Sequence, residues 1–333
     1  MINEQLKHNL YIRWNRRIVI ICLFLIMSQA SMNYYVDPYQ IFHSNQFVPS
    51  STSNERFNKI EYLLRQLDKN KDKDKPNAFL LGSSRMGVFH PHWFNTPGRR
   101  FYNLSVFSGD TKDSLQMLIF LKKKGLTPKE VIIGIDLFPF IEKQRLRPAS
   151  LQHHPLVVGK SYFSYYLKHL FSSSFYQSTL KIQQHYGERS FSFDYTTGQW
   201  SLAPLERQMK INLEKYQQRF FKPSTLPPMK VNFQSKRFME LKQLNTWLLT
   251  NNIKARYFIH PFSHLHQQRF TANTFARFRR KIKDLIPNVL DFSTKTEWTH
   301  NITNYYEKKH YRVSLAKELA TKLATSPVRL VYD

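Results

Sequence analysis

Three short segments of the chain carry residue types whose spacing suits acyl-transfer chemistry. The first is Gly82-Ser83-Ser84-Arg85, directly after the apolar run Ala78 to Leu81. A serine on a sharp strand-to-helix turn presents its hydroxyl at the edge of a sheet, with backbone N–H groups nearby for a substrate carbonyl. The same Gly-Ser-Ser also makes an ordinary helix cap. The second segment is YNLSVFSGDT, Tyr102 to Thr111, in which Gly109 is placed to expose its N–H at the start of a helix. The third is Glu307-Lys308-Lys309-His310. Acid and histidine three apart suit a loop in which the carboxylate holds one imidazole nitrogen while the other takes a serine proton. Taken singly, each segment also has a purely structural reading.

Other constellations point less clearly to chemistry. His260, His264 and His266 cluster near Pro261, and His90 lies two residues from His92, but no acidic partner stands at ligand spacing. They are expected to be strand-end and loop histidines that hydrogen-bond, and neither a metal nor a cofactor is expected. Arg277, Arg279, Arg280, Lys281 and Lys283 read as the solvated face of a helix that buries Phe275, Phe278, Ile282 and Leu285. The single cysteine, Cys22, excludes an intramolecular disulfide and a cysteine-based metal site.

For the three segments to act together, the fold must bring residues 84, 109 and 310 to one place. Apolar runs at Ala78 to Leu81 and Glu130 to Asp136 read as buried strands. A helix with Ile60, Leu63, Leu64 and Leu67 on one face precedes the first, and KNKDKDKPN, Lys69 to Asn77, between them is a solvated turn. Asp110 caps a helix that buries Leu115, Leu118, Phe120 and Leu121 and ends at Gly125. After a stretch of mixed aromatics, basic residues and prolines, the alternation resumes. It runs as a helix at Arg237 to Thr250, a strand at Ala255 to His260, a helix near Thr274 to Ile286, a strand at Val289 to Phe292 and a last helix from Ser314 to Ala324. Alternating strands and helices predict an α/β fold with a parallel sheet covered on both faces. Residues about 144–236 read as a mostly helical insertion over that sheet, with FDYTTGQW, Phe193 to Trp200, as a turn. Ligands of open α/β sheets sit beyond the carboxyl ends of the strands, where Ser84 falls.

At the N-terminus, Lys7, Arg13, Arg16 and Arg17 precede an unbroken apolar run from Ile18 to Met27. Continued to Val36, the helix has nineteen residues, about 28 Å at ~1.5 Å per residue, which matches a ~30 Å hydrocarbon core. Residues 1–17 are then a cytoplasmic basic flank, 18–36 a transmembrane anchor or signal segment, and 37–333 an extracytoplasmic domain, because the positive flank stays inside. Ser28-Gln29-Ala30 also has the small-x-small character of a cleavage site. Fifty Lys and Arg against 23 Asp and Glu leave a formal charge of +27, a field that draws anionic partners such as envelope glycan or lipid headgroups. No zinc-finger spacing, helix-turn-helix or basic stripe with interleaved aromatics appears, so nucleic acid is not the expected partner.

Together and in this order, the three segments resemble the SGNH/GDSL hydrolase superfamily. Its serine block, Gly-x-Ser, is matched by Gly82 and Ser84. Its second block reads Asn-x-Ser-x-Ser-Gly-Asp-Thr in some bacterial thioesterase members, and Asn103 to Thr111 is close to that with one extra spacing residue. Its C-terminal Asp-x-x-His is met by Glu307 and His310. The apolar N-terminus with VDPYQIF (Val36 to Phe42), LLGSSRM, VIIGIDLFPF and YYEKKHYR is similar to bacterial membrane-anchored SGNH-like proteins. That branch is related to proteins that D-alanylate teichoic acid or O-acetylate exopolysaccharides.

The resemblance implies a three-layer α/β/α, flavodoxin-like fold. It also implies Ser84 as nucleophile, His310 as base, Glu307 orienting it, and the N–H groups of Ser84 and Gly109 as oxyanion donors, with Gly82, Arg85 and Asn103 in support. The implied activity is a serine esterase or acyltransferase on acylated envelope glycan or lipid, or an SGNH scaffold that binds without turnover. One departure bears on the choice. Where the family has Gly-x-Asn-Asp, with the Asn donating to the oxyanion, this chain has Gly134-Ile135-Asp136. An ionised carboxylate only accepts hydrogen bonds. Asp136 is therefore held protonated, or points elsewhere, towards Arg85, or leaves catalysis weak. Glu307 in place of Asp is a milder change.

Overall fold

The structure, a computed structural model, describes residues 2–43, 54–69, 75–141, 152–173, 177, 192–223, 227–294 and 297–326. The first element, α1 (Ile2–Val36), is apolar all round through its middle, with Ile20, Phe24 and Leu25 all exposed. A helix exposed and apolar all round through its middle has the character of a membrane span, and this one is long and apolar enough to cross a bilayer. It ends where Asp37, at φ +39°, turns the chain back and accepts the amides of Ile41, Phe42 and His43.

The rest of the chain is built on a five-stranded parallel sheet. After α2 (Glu55–Lys69) come β1 (Ala78–Leu81), the short α3 (Ser84–Gly87), β2 (Phe101–Asn103), α4 (Thr111–Lys123) and β3 (Glu130–Ile135). Beyond them, β6 (Lys254–Ile259) and β7 (Leu290–Asp291) complete a sheet of order β2-β1-β3-β6-β7. Side chains alternate across it because strand period is two. Phe79, Leu81, Val131 and Ile133 pack on one side against Met117, Leu118, Leu121, Leu244 and Phe278. Ala78, Leu80 and Ile132 pack on the other against Leu315, Leu319 and Leu323 of the last helix, Val313–Thr325. The chain moves from β1 outward to β2 and then returns to the other side of β1 as β3. The carboxyl ends of β1 and β3 thus form the switch point at which open α/β sheets take ligands.

Most expected elements are present with ends shifted by a residue or two. The cap at Asp110 is a full capping box with Asp113, and α2 buries Ile60 and Leu63 with Leu64 and Leu67 beside them. The basic run lies on a helix, Ala272–Leu285, that buries Phe275, Phe278 and Ile282. Two features depart from expectation. Phe101–Asn103 is an edge strand, too short to show a period, and the segment around Glu307 is not an open loop but a hairpin of β8 (Tyr305–Glu307) and β9 (His310–Tyr311).

Within the expected insertion, the described part includes α5 (Tyr162–Leu170), two helices at Ala203–Ile211 and Leu213–Phe220, and a small antiparallel pair, β4 (Ser192–Phe193) with β5 (Trp200–Ser201). The chain between those two strands is the turn anticipated from FDYTTGQW. Residues 142–151, 174–176, 178–191 and 224–226 of that region, and 70–74 of the charged turn, lie outside the described residues.

Candidate active site

Ser84 is held at the switch point by the turn that leaves β1. Gly82 sits at φ +142°, and a Cβ there would approach the Gly134 carbonyl to 2.9 Å, so both conformation and the neighbouring strand demand glycine. Ser83 caps α3 by accepting the Arg85 amide on its side chain, which leaves Ser84 as the first helical residue. Among the described residues the Ser84 N–H has no acceptor. The side chain is nearly buried, at 9% exposure, and its Oγ lies 2.7 Å from His310 Nε2.

The hairpin explains why acid and histidine stand three apart. Glu307 and His310 are register partners across β8 and β9, with Lys308 and Lys309 as the connection, so their side chains share one face. His310 Nδ1 hydrogen-bonds Glu307 Oε1, and the Lys309 N–H donates to Glu307 Oε2 at 3.1 Å. Burial pushes the Glu307 carboxyl up, but the bond to His310, the adjacent imidazole charge, the Lys309 amide and Arg85 hold it down to about 2. The carboxylate is ionised at neutral pH and fixes the tautomer that leaves Nε2 facing Ser84 as an acceptor.

A second set of contacts clamps the hairpin to the sheet. Arg85 Nε donates to the Lys309 carbonyl at 2.6 Å, and Ser263 Oγ donates to the Lys308 carbonyl at 2.6 Å. The Arg85 guanidinium stacks over Phe262, 4.8 Å from its ring centre, and Arg85 Nη1 pairs with Asp136. From the other side, Tyr216 donates to the Tyr306 carbonyl at 2.7 Å, and Glu206 accepts from Tyr306 and Arg312. Ser263, Phe262, Tyr216 and Glu206 were not singled out from sequence. Each acts through a backbone carbonyl, a ring face or a distant charge, which leaves no local pattern to read.

Asp136 takes the Arg85 alternative, and the expected oxyanion donor Gly109 is engaged elsewhere. Asp136 is buried, and its two carboxylate oxygens accept from Ser83 Oγ and Arg85 Nη1. Burial raises the carboxyl, but the charges of Arg85 and His260 and the hydrogen bonds from Ser83 and Arg85 together outweigh it and hold Asp136 below the usual carboxylate range. It is ionised and turned to Arg85, so it has no proton to donate. Gly109 does lie beside the Ser84 turn, since a Cβ there would come within 2.3 Å of the Gly82 carbonyl. Its N–H, however, donates to the Val106 carbonyl at 2.8 Å, closing a turn through Ser108 at φ +51°. The close approach explains the glycine, and the amide is already engaged.

Asn103 is fully buried at the end of β2. Its side-chain amide donates to the carbonyls of Met86 and Phe89 at 2.9 Å and of Gly87 at 3.3 Å, stapling the chain that follows Ser84. The 105–108 loop is held in turn by α2. Lys59 Nζ donates to the Ser105 carbonyl at 2.6 Å, Arg56 to the Phe107 carbonyl at 2.8 Å, and Glu55 accepts the Phe107 amide at 3.1 Å. All three side chains are buried, and burial lowers the Lys59 ammonium to about 8.

The histidines weighed as metal ligands are otherwise engaged. His260 Nδ1 meets the Tyr311 hydroxyl at 2.8 Å, His264 stacks on His300, and His90 Nδ1 accepts the His92 amide at 3.2 Å. Among the described residues no three His, Cys, Asp or Glu side chains are grouped to hold a metal ion. No protein-family model matches the sequence, and no curated protein matches it.

Proposed function

We propose that this chain is a membrane-anchored SGNH-like serine esterase or acyltransferase that acts on acylated cell-envelope glycan or lipid through an acyl-Ser84 intermediate. The observation that carries the reading is the unbroken relay from Ser84 Oγ to His310 Nε2, at 2.7 Å, and from His310 Nδ1 to Glu307. The parallel order β2-β1-β3-β6-β7 is, counted within the sheet, the 2-1-3-4-5 order of flavodoxin-like folds, and together with the clusters on both faces it supports the three-layer α/β/α architecture.

In the first step His310 Nε2 takes the proton of Ser84 Oγ as that oxygen attacks the acyl carbonyl, and the Ser84 N–H meets the developing oxyanion. Collapse breaks the bond to the leaving alcohol, which takes the proton back from His310. Water or a glycan hydroxyl then attacks the acyl-serine, giving its proton to His310, and Ser84 recovers it on release. Glu307 stays ionised throughout and stabilises the imidazolium. The basic N-terminal flank of α1 supports an orientation with the domain outside the cytoplasm, and the charge of +27 would concentrate anionic glycan or headgroups near it.

A second reading, an SGNH scaffold that binds envelope material without turnover, is favoured by a specific observation. Of the two expected oxyanion donors only the Ser84 N–H is unengaged among the described residues, and Asp136 stands where the resembled family has a third. Loss of one such donor typically costs ~10²–10³ in rate. Full-length protein treated with a fluorophosphonate probe and assayed on acetyl esters, beside Ser84→Ala, separates the two. Labelling and turnover confined to wild type support the enzyme; no labelling, with equal background turnover in both, leaves the scaffold.

A further inference from the structure

The described part of the insertion contains a helix whose outer face is apolar and is left largely exposed among the described residues. On α5, Phe163, Leu167 and the capping residue Phe171 fall at i, i+4 and i+8, one stripe, and are 71%, 37% and 47% exposed. Lys160 and Lys168 are exposed beside them, while Tyr165 and His169 are buried on the opposite face, with Tyr165 stacked on Phe57. Exposed aromatics in a row, flanked by cations, are what an interfacial helix presents to lipid.

The position of α5 relative to α1 selects the partner. Asn33, one turn before the end of α1, is fully buried, and its side-chain amide donates to the Leu170 carbonyl at 2.7 Å and to those of Ser172 and His169 at 3.3 and 3.4 Å. Ring contacts repeat the link, from Tyr34 to Phe42 at 5.4 Å and from Phe42 to Tyr166 at 5.6 Å. Arg13, Arg16 and Arg17 set the inner boundary of the span, so Asn33 stands about 24 Å beyond Arg17, roughly one helical turn short of the outer edge of a ~30 Å hydrocarbon layer. The carboxyl end of α5 is bonded at that same level. Tyr34 and Tyr35, the residues that follow Asn33 on α1, are themselves 51% and 86% exposed.

We propose that α5 is a second membrane contact, lying in the outer interface with Phe163, Leu167 and Phe171 seated at the headgroup–acyl boundary and Lys160 and Lys168 against anionic headgroups. The occupant of this face is the bilayer that α1 crosses. The inference rests on the anchor reading above and is independent of whether Ser84 turns over a substrate. Two attachments fix the tilt of the domain, and the connection inward is continuous. Asn54 donates to the Tyr165 hydroxyl at 3.2 Å and Tyr162 to Glu61 of α2 at 2.8 Å, the helix that also clamps the loop beside Ser84.

The sole native cysteine makes the test direct. Full-length protein is reconstituted into vesicles of phosphatidylcholine with a minority of phosphatidylglycerol, and a polarity-sensitive fluorophore is attached at one cysteine. The positions are native Cys22 and, in a Cys22→Ser background, Phe163→Cys, Phe171→Cys and Ile211→Cys. Ile211 is 83% exposed on a helix that packs on the opposite face of the sheet. Lipids carrying a nitroxide on the acyl chain near the headgroup are then added. Loss of emission at 22, 163 and 171, with emission at 211 retained, is the expected result. Quenching at 22 with none at 163 and 171 beyond that at 211 overturns the second contact and leaves the anchor standing. No quenching at 22 removes the anchor and the contact together.

Discussion

Arg85 and Asp136 form a buried ion pair across the switch point, and the same guanidinium donates to the Lys309 carbonyl, so one side chain joins the Ser84 turn, the end of β3 and the Glu307–His310 hairpin. Removing one member of a buried pair strands the other charge, at a cost of about 3–5 kcal/mol. Asp136→Asn is therefore expected to lower stability by that order, although it restores the amide the resembled family carries. Arg85→Met together with Asp136→Asn is expected to recover most of the loss, because no uncompensated charge remains. Urea unfolding of the two single variants and the double variant checks this, and additive losses would reject the pairing as the cause.

Glu307→Gln keeps the shape of the side chain but removes the charge that fixes the His310 tautomer. In a working triad the equivalent neutralisation costs about 10⁴ in kcat. The expectation is a large fall in kcat with little change in KM, and slower fluorophosphonate labelling of Ser84. Labelling at the wild-type rate in this variant would show that Glu307 does not act through His310.

Acid sensitivity should trace to His260 and His266. Burial holds their imidazoles down to about 4 and about 3, below the ordinary value of 6.5. Between pH 6.5 and these values the unfolded chain binds protons that the folded chain does not, so stability is fully present above pH 6.5 and falls as pH drops through the window. For His260 alone the loss is about 3 kcal/mol, at 1.36 kcal/mol per unit. Unfolding midpoints measured at pH 7 and pH 4.5 are expected to differ less in His260→Gln than in wild type; an unchanged difference would assign the acid sensitivity elsewhere.

Local pattern was enough to find the sheet. The strands β1 and β3 are short, largely apolar runs whose burial is written in their own composition, and β6 is continuously apolar only in its second half, where it is buried. The edge strand β2 was invisible, because three residues carry no period. Gly82 was legible as a tight turn because little else tolerates its backbone, and Glu307 with His310 was legible as an acid and a histidine three apart, although the hairpin that pairs them was not.

What the sequence determined by itself was the apolar span, the alternation of strand and helix, and the set of residues able to meet at the strand ends, since each depends on neighbours along the chain. Tertiary structure alone decided which donor reaches which acceptor. It turned Asp136 onto Arg85 and Ser83, committed the Gly109 amide to Val106, buried Lys59 under the loop beside Ser84 and set α5 against the end of α1. A charge or an amide takes its partner from whatever the fold brings within ~3 Å, and that neighbour is commonly dozens of residues away in sequence.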